Sequence, residues 1–204
     1  KVPFLTAANW GGQGLHPRGN FEGYVRAASK DKWLEAHGIE HWTHFYTDYG
    51  REQQLRFFDY FLHGKKNGWD KQAKVFLQVR HPGETFVARA ETEWPLKRTK
   101  WTKLYLDPKG GALSTKKPSL SGRSGAGADA SGESSLSFAA MGEGLTFLTQ
   151  PLETDTEITG PSAAKLIVSS STSDADLFLI VRVFTPDLKE IVFQGAIDPH
   201  TPIA

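Results

Sequence analysis

The spacing of apolar residues changes once along this chain, and that change limits the folds open to it. In residues 1–64, two short apolar runs alternate with two segments that have a helical period. Beyond residue 68 the helical period is absent, and short apolar runs separated by turn residues continue. Strands that alternate with helices favour a parallel sheet, whereas successive short strands favour a sandwich. The sequence therefore predicts an α/β part followed by an all-β part.

The first part is predicted to contain two strands and two helices. The strands are expected at residues 2–8 and 32–37, and the helices at residues 20–30 and 51–64. The second helix has the clearest pattern, because it has an apolar stripe and Gly64 suits its C-terminal end. The stripe consists of Leu55, Phe58, Phe61 and Leu62. The segment before this helix, which holds Gly38 and several aromatic residues, is expected to be a loop.

The second part is predicted to be built from strands. They are expected at residues 74–80, 84–89, 101–107, 145–150, 163–171, 175–184 and 190–197. Residues 108–135 are rich in Gly, Ser, Ala, Lys and Pro, which predicts a flexible excursion. We place the domain boundary between residues 68 and 69, so that residues 69–204 form a β-sandwich.

Composition excludes several classes of function. The 204 residues include 24 basic and 23 acidic side chains, so the net charge is +1, without the basic patch that nucleic acid requires. There is no cysteine, which excludes disulfides and a thiol nucleophile. No run reaches the roughly 20 apolar residues of a membrane helix. We therefore expect a cytoplasmic protein that binds neither nucleic acid nor membrane.

Three histidines fall within eight positions, in the stretch "HGIEHWTHFYTDYG". His37, His41 and His44 could hold a metal, could include a catalytic base, or could be loop residues that pack on neighbouring aromatic rings. The metal interpretation is the weakest, because the H-E-x-x-H spacing of helical zinc sites is absent. The position of these histidines in the sequence does not decide between a catalytic base and loop residues that pack on aromatic rings.

Three segments resemble acyl hydrolases of the cocaine esterase and X-Pro dipeptidyl-peptidase type. "HGIEHWTHFY" resembles the family's GPW-S/T-H segment, and "EWPLKRTKWTKLYLDPKGGALST" resembles its WPL segment. "TEITGPSAAKLIVSSSTSDADLFLIVRVFTPDLKEI" resembles its C-terminal jelly-roll domain. The resemblance implies that residues 1–68 are the C-terminal part of an α/β-hydrolase domain. It also implies that residues 69–204 form a galactose-binding-like jelly roll, which we expect to be incomplete.

The resemblance implies a serine hydrolase that cleaves ester or amide bonds of a small acyl ester or peptide, without a cofactor. Carried over onto Trp42-Thr43-His44, it makes His44 the catalytic base. No G-x-S-x-G is present, and the nearest match, "GRSGA", lies in the excursion rather than on a strand-to-helix turn. The nucleophile is therefore expected outside this chain. The alternatives are a non-catalytic binding or structural module, and a relative that has lost its triad acid.

The acid of such a triad is not identified by the sequence. Where the family has an aspartate after its strand, this chain has Gly11 and Gly12 in "ANWGGQG". Asn9, Glu22 and Asp48 are candidates for orienting the histidine, and the choice among them stays open.

The two ends of the sequence suggest that the chain is part of something larger. The first strand should have neighbours on both sides, and the resembling family continues with sandwich strands beyond "DPHTPIA". We expect a fragment or one piece of a larger assembly. Its partner would be the missing N-terminal hydrolase segment and the remaining sandwich strands, or another copy in a homo-oligomer.

Overall fold

The computed structural model describes residues 2–12, 16–38, 40–118, 134–194 and 199–200. The helices are α1 (Pro17–Arg26), α2 (His41–Tyr46) and α3 (Asp48–His63), with 3-10 turns at Trp69–Lys71 and Lys109–Gly111. The strands are β1 (Phe4–Asn9), β2 (Lys32–His37), β3 (Val75–His81), β4 (Thr85–Glu91), β5 (Tyr105–Asp107), β6 (Ala112–Ser114), β7 (Phe193–Gln194) and β8 (Pro199–His200). The chain divides into two compact units, one of Lys1–Thr99 with Thr159–Ala204 and one of Lys100–Ile158.

The first unit is built on a mixed four-stranded sheet in the order β1-β2-β3-β4. β1 pairs with β2 and β2 with β3 in parallel, and β3 pairs with β4 in antiparallel. The predicted parallel pairing of the first two strands is confirmed. β3 and β4 follow the predicted domain boundary at residues 68 and 69 yet extend the same sheet, and that boundary stays a prediction.

Apolar side chains cover both faces of this sheet. On one face, Tyr24 of α1 packs on a buried cluster from three strands, formed by Ala8, Leu34, Ala36, Val75 and Leu77. On the other face, Trp33 packs with Phe57 of α3 and with Trp69, which is fully buried. Because successive side chains of a strand point to opposite faces, Trp33 and Leu34 serve different clusters. The α/β layer expected for the first part is therefore present.

Of the predicted stripe of α3, Phe61 faces this core and the other three residues do not. Phe57 is buried and Phe61 packs on Trp33, whereas Leu55, Phe58 and Leu62 are exposed. The helix has apolar residues around more of its circumference than one face, so the period alone selects the wrong side. The predicted C-terminal end is confirmed, since Gly64 has φ of 63° and caps the helix.

The predicted loop after β2 is wrong, because residues 41–46 form α2 and α3 begins at Asp48. Thr47 joins the two helices. Its Oγ1 donates to the His44 carbonyl at 2.7 Å and accepts from the Gly50 N–H at 3.1 Å. One hydroxyl thus satisfies a carbonyl at the end of α2 and an amide at the start of α3. α1 also differs from its predicted span, since Pro17 at its first turn starts it three residues early.

The strands predicted at residues 163–171 and 175–184 are wrong apart from one isolated bridge between Phe184 and Glu190. Strand propensity describes a fit to a pleated, half-buried surface, and no neighbouring strand supplies that surface within the described residues. The strand predicted at 145–150 is reduced to a bridge between Leu148 and Ala112. The predicted strand at 190–197 is reduced to β7, and its residues 195–198 lie outside the described part.

The second unit contains a short antiparallel pair of β5 and β6. Residues 109–114, at the start of the predicted excursion, form a 3-10 turn and β6. Residues 119–133 of the excursion lie outside the described residues, so its flexibility stays a prediction. Within the described part of the chain, no helix has the length and apolar character needed to cross a membrane.

Candidate functional site

Strands β1 and β2 and helices α2 and α3 line a half-open cavity of about 560 Å³. Its lining is mostly apolar, with few polar side chains. The lining residues are Leu5, Ala7, Glu35, His37, Trp42, His44, Phe45, Tyr46, Tyr49, Gly50, Gln53 and Gln54. Among these described lining residues none is Lys or Arg, and Glu35 is the one carboxylate. An apolar cleft with a few convergent polar groups is the usual form of a small-molecule site.

A carboxylate–imidazole pair lies in this cavity. His44 Nε2 is 3.1 Å from Glu35 Oε1, and Glu35 is only 5% exposed. A carboxylate accepts hydrogen bonds and does not donate them, so Nε2 of His44 carries the proton. In neutral His44 the lone pair is then on Nδ1. The pair therefore presents an oriented imidazole with one basic nitrogen.

A second imidazole lies against the first. The rings of His37 and His44 are stacked with centroids 3.8 Å apart and planes 17° apart. His37 is buried, and its Nδ1 is 2.8 Å from the Gly38 carbonyl. Because a carbonyl oxygen accepts, Nδ1 of His37 is the donor. The stack thus joins the end of β2, where His37 lies, to α2, where His44 lies.

Tyr49 of α3 completes the polar side of the cavity. Burial, followed by the nearby charge of Glu35, raises its pKa to about 12. Gln53 Nε2 donates to the Tyr49 hydroxyl at 3.0 Å. The phenol is therefore neutral at physiological pH, and it adds no negative charge to the site.

Local geometry explains why these side chains meet. Residues 33, 35 and 37 alternate onto the face of β2 that α3 covers, so Glu35 and His37 both reach the cavity. α2 turns back over this face and brings His44 with it. Gly50 allows the turn, since a Cβ atom there would lie 2.2 Å from the His44 carbonyl oxygen. Only glycine lets the two helices approach this closely.

Of the predicted site residues, His44 lies in the cavity, and the ring of His37 stacks on the ring of His44. His41 begins α2, and its side chain lies outside the described part. Among the described residues, no cluster of three metal-binding side chains is found.

The three candidates for the acid lie elsewhere. Glu22 pairs with Arg26 at 2.8 Å, and Asp48 is 97% exposed beside Arg51. Asn9 is buried, and its Oδ1 has no partner among the described residues. Gly12 packs on Asn9, because a Cβ there would lie 2.8 Å from the same Oδ1. A larger residue at Gly12 would need the backbone, Asn9 or His16 to shift.

Glu35 is the partner that sequence reasoning missed. Its signal is present in "KWLEAH", where one carboxylate stands between Leu34 and Ala36 in an apolar strand. Glutamate is almost never fully buried unless it is paired, so this position calls for a partner. The strand pattern does not identify that partner, because α2 was expected to be a loop.

Comparison with known proteins defines the class first. Two crystal structures of a CocE/NonD family hydrolase from Staphylococcus aureus are similar to this chain, at 37% and 38% identity and TM-scores of 0.54 and 0.55. Each match covers 57% of this chain and 21% of the hydrolase chain. The resemblance to the C-terminal portion of such hydrolases is confirmed. The chain spans about a fifth of the hydrolase chains that it matches.

The family follows from a second comparison. Residues 67–202 match the family model described as the X-Pro dipeptidyl-peptidase C-terminal non-catalytic domain. Since this match covers more than half of the chain, the protein belongs to that family. No curated protein matches the chain. The cavity residues, from Leu5 to Gln54, precede the matched region.

Proposed function

We propose that the intact protein is a serine hydrolase that cleaves ester or amide acyl bonds, and that His44 is its general base. The observation that carries this proposal is the buried Glu35–His44 pair in an apolar cavity. The similarity to CocE/NonD hydrolases supports the same reaction class. In the finer fold that we propose, residues 1–68 belong to an α/β-hydrolase domain and residues 69–204 to a galactose-binding-like jelly roll.

The chemistry follows from the orientation of His44. Its Nδ1 takes the proton of a serine hydroxyl that another segment of the intact protein supplies, while the serine oxygen bonds to the acyl carbon. Glu35 stabilises the imidazolium through the Nε2 proton. The same proton then goes to the leaving alcohol or amine as its bond to the acyl carbon breaks. Water repeats the sequence and releases the acid.

Glu35 also argues against a relative that has lost its acid. A triad needs a carboxylate that holds the histidine in one tautomer, and Glu35 supplies this contact from β2. The glycines at positions 11 and 12 are then no obstacle to catalysis.

The cavity favours an uncharged apolar group in the substrate. Trp42, Phe45 and Leu5 supply apolar walls, and the phenol of Tyr49 is neutral. An anionic group would meet Glu35 without a basic residue among the lining side chains to offset the repulsion. We therefore propose a small ester or peptide whose group in this cavity carries no negative charge.

A non-catalytic role is the second candidate, and it concerns a different part of the chain. The family model that matches residues 67–202 is described as non-catalytic. We propose that this region supports the hydrolase part, and that it takes no direct part in bond cleavage.

The test is substitution of each histidine in the intact protein. His44→Ala should lower kcat/KM for an acyl ester by about 10³-fold or more, because loss of a triad member removes transition-state stabilisation. His41→Ala should do far less, and His63→Ala at the end of α3 serves as a surface control. A larger loss from His41→Ala than from His44→Ala would show that the base is assigned wrongly.

A further inference from the structure

We propose that His37 is a positioning residue for His44, and that β3 and β4 hold His37 in place through Gly38. The placement of His44 by His37 is argued from the described contacts alone. The consequence of this placement for catalysis rests on the proposed function.

The first step is the contact between the rings. The face of His37 covers the face of His44 at 3.8 Å, and the rings are nearly parallel. His44 is therefore held by the stack on its face, by Glu35 at Nε2 and by the tilted ring of Tyr49, whose centroid lies 5.1 Å away. With the ring plane fixed, the direction of Nδ1 is fixed as well. If the stack were lost, His44 could rotate while keeping a single hydrogen bond.

The second step is that His37 is itself held at the end of β2. Its Nδ1 donates to the Gly38 carbonyl at 2.8 Å, and its carbonyl accepts from the Trp10 N–H at 3.0 Å. His37 is only 2% exposed, so neighbouring groups surround most of its ring and restrict its rotation, although one side lines the cavity.

The third step is the fixing of Gly38 by the neighbouring strands. Gln78 of β3 accepts from the Gly38 N–H through its side-chain Oε1 at 2.8 Å. A Cβ atom on Gly38 would lie 2.7 Å from the ring of Phe86 on β4. The backbone at Gly38 is thus hydrogen-bonded by one strand and packed against a ring from the next. The contacts run from Gln78 and Phe86 through Gly38 to His37 and His44.

This chain of contacts gives residues 67–202 an indirect part in the site. Gln78 and Phe86 lie within the region whose family description is non-catalytic. Neither residue lines the cavity. They act on His44 only through the position of the β2 end.

The direct test measures the ring signals of His44 in the intact protein labelled with ¹³C at histidine Cε1. In the wild type these signals should be shifted upfield by the stacked His37 ring, with a nuclear Overhauser contact between the two rings. His37→Ala should abolish the upfield shift, whereas His37→Phe should retain it because the phenyl ring restores the stack. Gln78→Leu should weaken it, and Gln78→Glu should retain it because an acceptor oxygen remains.

Val79→Ala is the matched control, since Val79 is the neighbour of Gln78 on β3 and its side chain packs on the core cluster that contains Tyr24. It should lower stability without moving the His44 signals. His44 signals that stay unchanged in both His37→Ala and Gln78→Leu would overturn the proposal. Equal changes in Val79→Ala would also overturn it, because they would show a general loss of structure.

The catalytic consequence is measured separately. His37→Ala should lower kcat by roughly 100-fold with little change in KM, since misplacing a catalytic group by about 1 Å has an effect of that size. His37→Phe should restore most of the rate. If the ring signals behave as expected but the wild-type protein hydrolyses no acyl ester, the proposed function fails and the positioning role of His37 stands.

Discussion

Two glutamates are buried in the strands of the sheet, and each is paired. Glu35 on β2 bonds to His44, and Glu91 on β4 pairs with two arginines. Arg98 Nη1 donates to Glu91 Oε2 at 2.7 Å, and Arg89 Nε lies 2.8 Å from Glu91 Oε1. A buried carboxylate without such partners is strongly unfavourable. The two pairs differ in position, because Glu35 lines the cavity and Glu91 does not.

Glu91→Gln should destabilise the protein in a pH-dependent way. The hydrogen bond from Arg98 holds the pKa of Glu91 below its ordinary 4.5. The stabilisation is therefore present above the unfolded-state value, and it is lost as pH falls through the lower folded-state pKa. At pH 7 we expect the free energy of unfolding to fall by about 1–3 kcal/mol. Denaturant melts at pH 7 and pH 3 should show a smaller wild-type-to-variant difference at pH 3.

The control for this prediction is Glu22→Gln on α1. Glu22 also pairs with an arginine, but both side chains are largely exposed, and such pairs contribute at most about 1 kcal/mol. A Glu91→Gln variant as stable as wild type at pH 7 would contradict the structural role of the pair.

Sequence reasoning at the scale of residues identified one half of the cavity pair. His44 could be singled out because few residue types serve as a base, and its segment resembles a family motif. Glu35 was missed because its role depends on a side chain nine positions away, across a helix that the sequence did not predict. Burial can be read from a strand pattern, but the partner of a buried charge cannot.

Short helices and unpaired strands account for most of the differences at the scale of elements. α2 has six residues, too few for a helical period to be visible. β1, β2, β3 and β4 were predicted within a few residues, because each is an apolar run beside turn residues. The segments at residues 163–171 and 175–184 have equally apolar runs, and they form no ladder because pairing depends on a neighbour.

The joint between α2 and α3 gives a sharp test at this scale. Gly50→Ala should destabilise the protein by about 1–3 kcal/mol, since its Cβ would overlap the His44 carbonyl and force the helices apart. Gly23→Ala is the matched control, because Gly23 lies in α1 with nothing within 4 Å of its Cβ position. That variant should be neutral or more stable by up to about 1 kcal/mol. Thermal melts of both variants measure the difference, and equal effects would contradict the close packing at Gly50.

At the scale of the whole molecule, the described residues expose many large apolar side chains. Leu62 is 72% exposed, Phe178 is 85% exposed and Ile167 is 99% exposed. On α3, the exposed side chains of Leu55, Phe58 and Leu62 share one helix face, and contiguous exposed apolar surface marks a place where another surface docks. The sequence predicted β1, β2, α1 and α3 as one layer, but it assigned β3 and β4 to the sandwich rather than to the same sheet. The surface that covers the outer face of α3 could not be predicted, because a helix pattern does not identify the partner of its apolar side.

We predict that the 204-residue chain self-associates through the exposed stripe of α3 formed by Leu55, Phe58 and Leu62. Burying one such side chain contributes about 1.5–3 kcal/mol, and each 1.4 kcal/mol changes an association constant about tenfold. The double variant Leu55→Lys, Leu62→Lys should therefore weaken association by at least about tenfold in sedimentation velocity. Glu52→Lys on the same helix raises the net charge by the same two units without altering the stripe, and it should leave association nearly unchanged. A wild-type chain that sediments as a monomer at all concentrations, or equal effects of the two variants, would show that the stripe is not a docking surface.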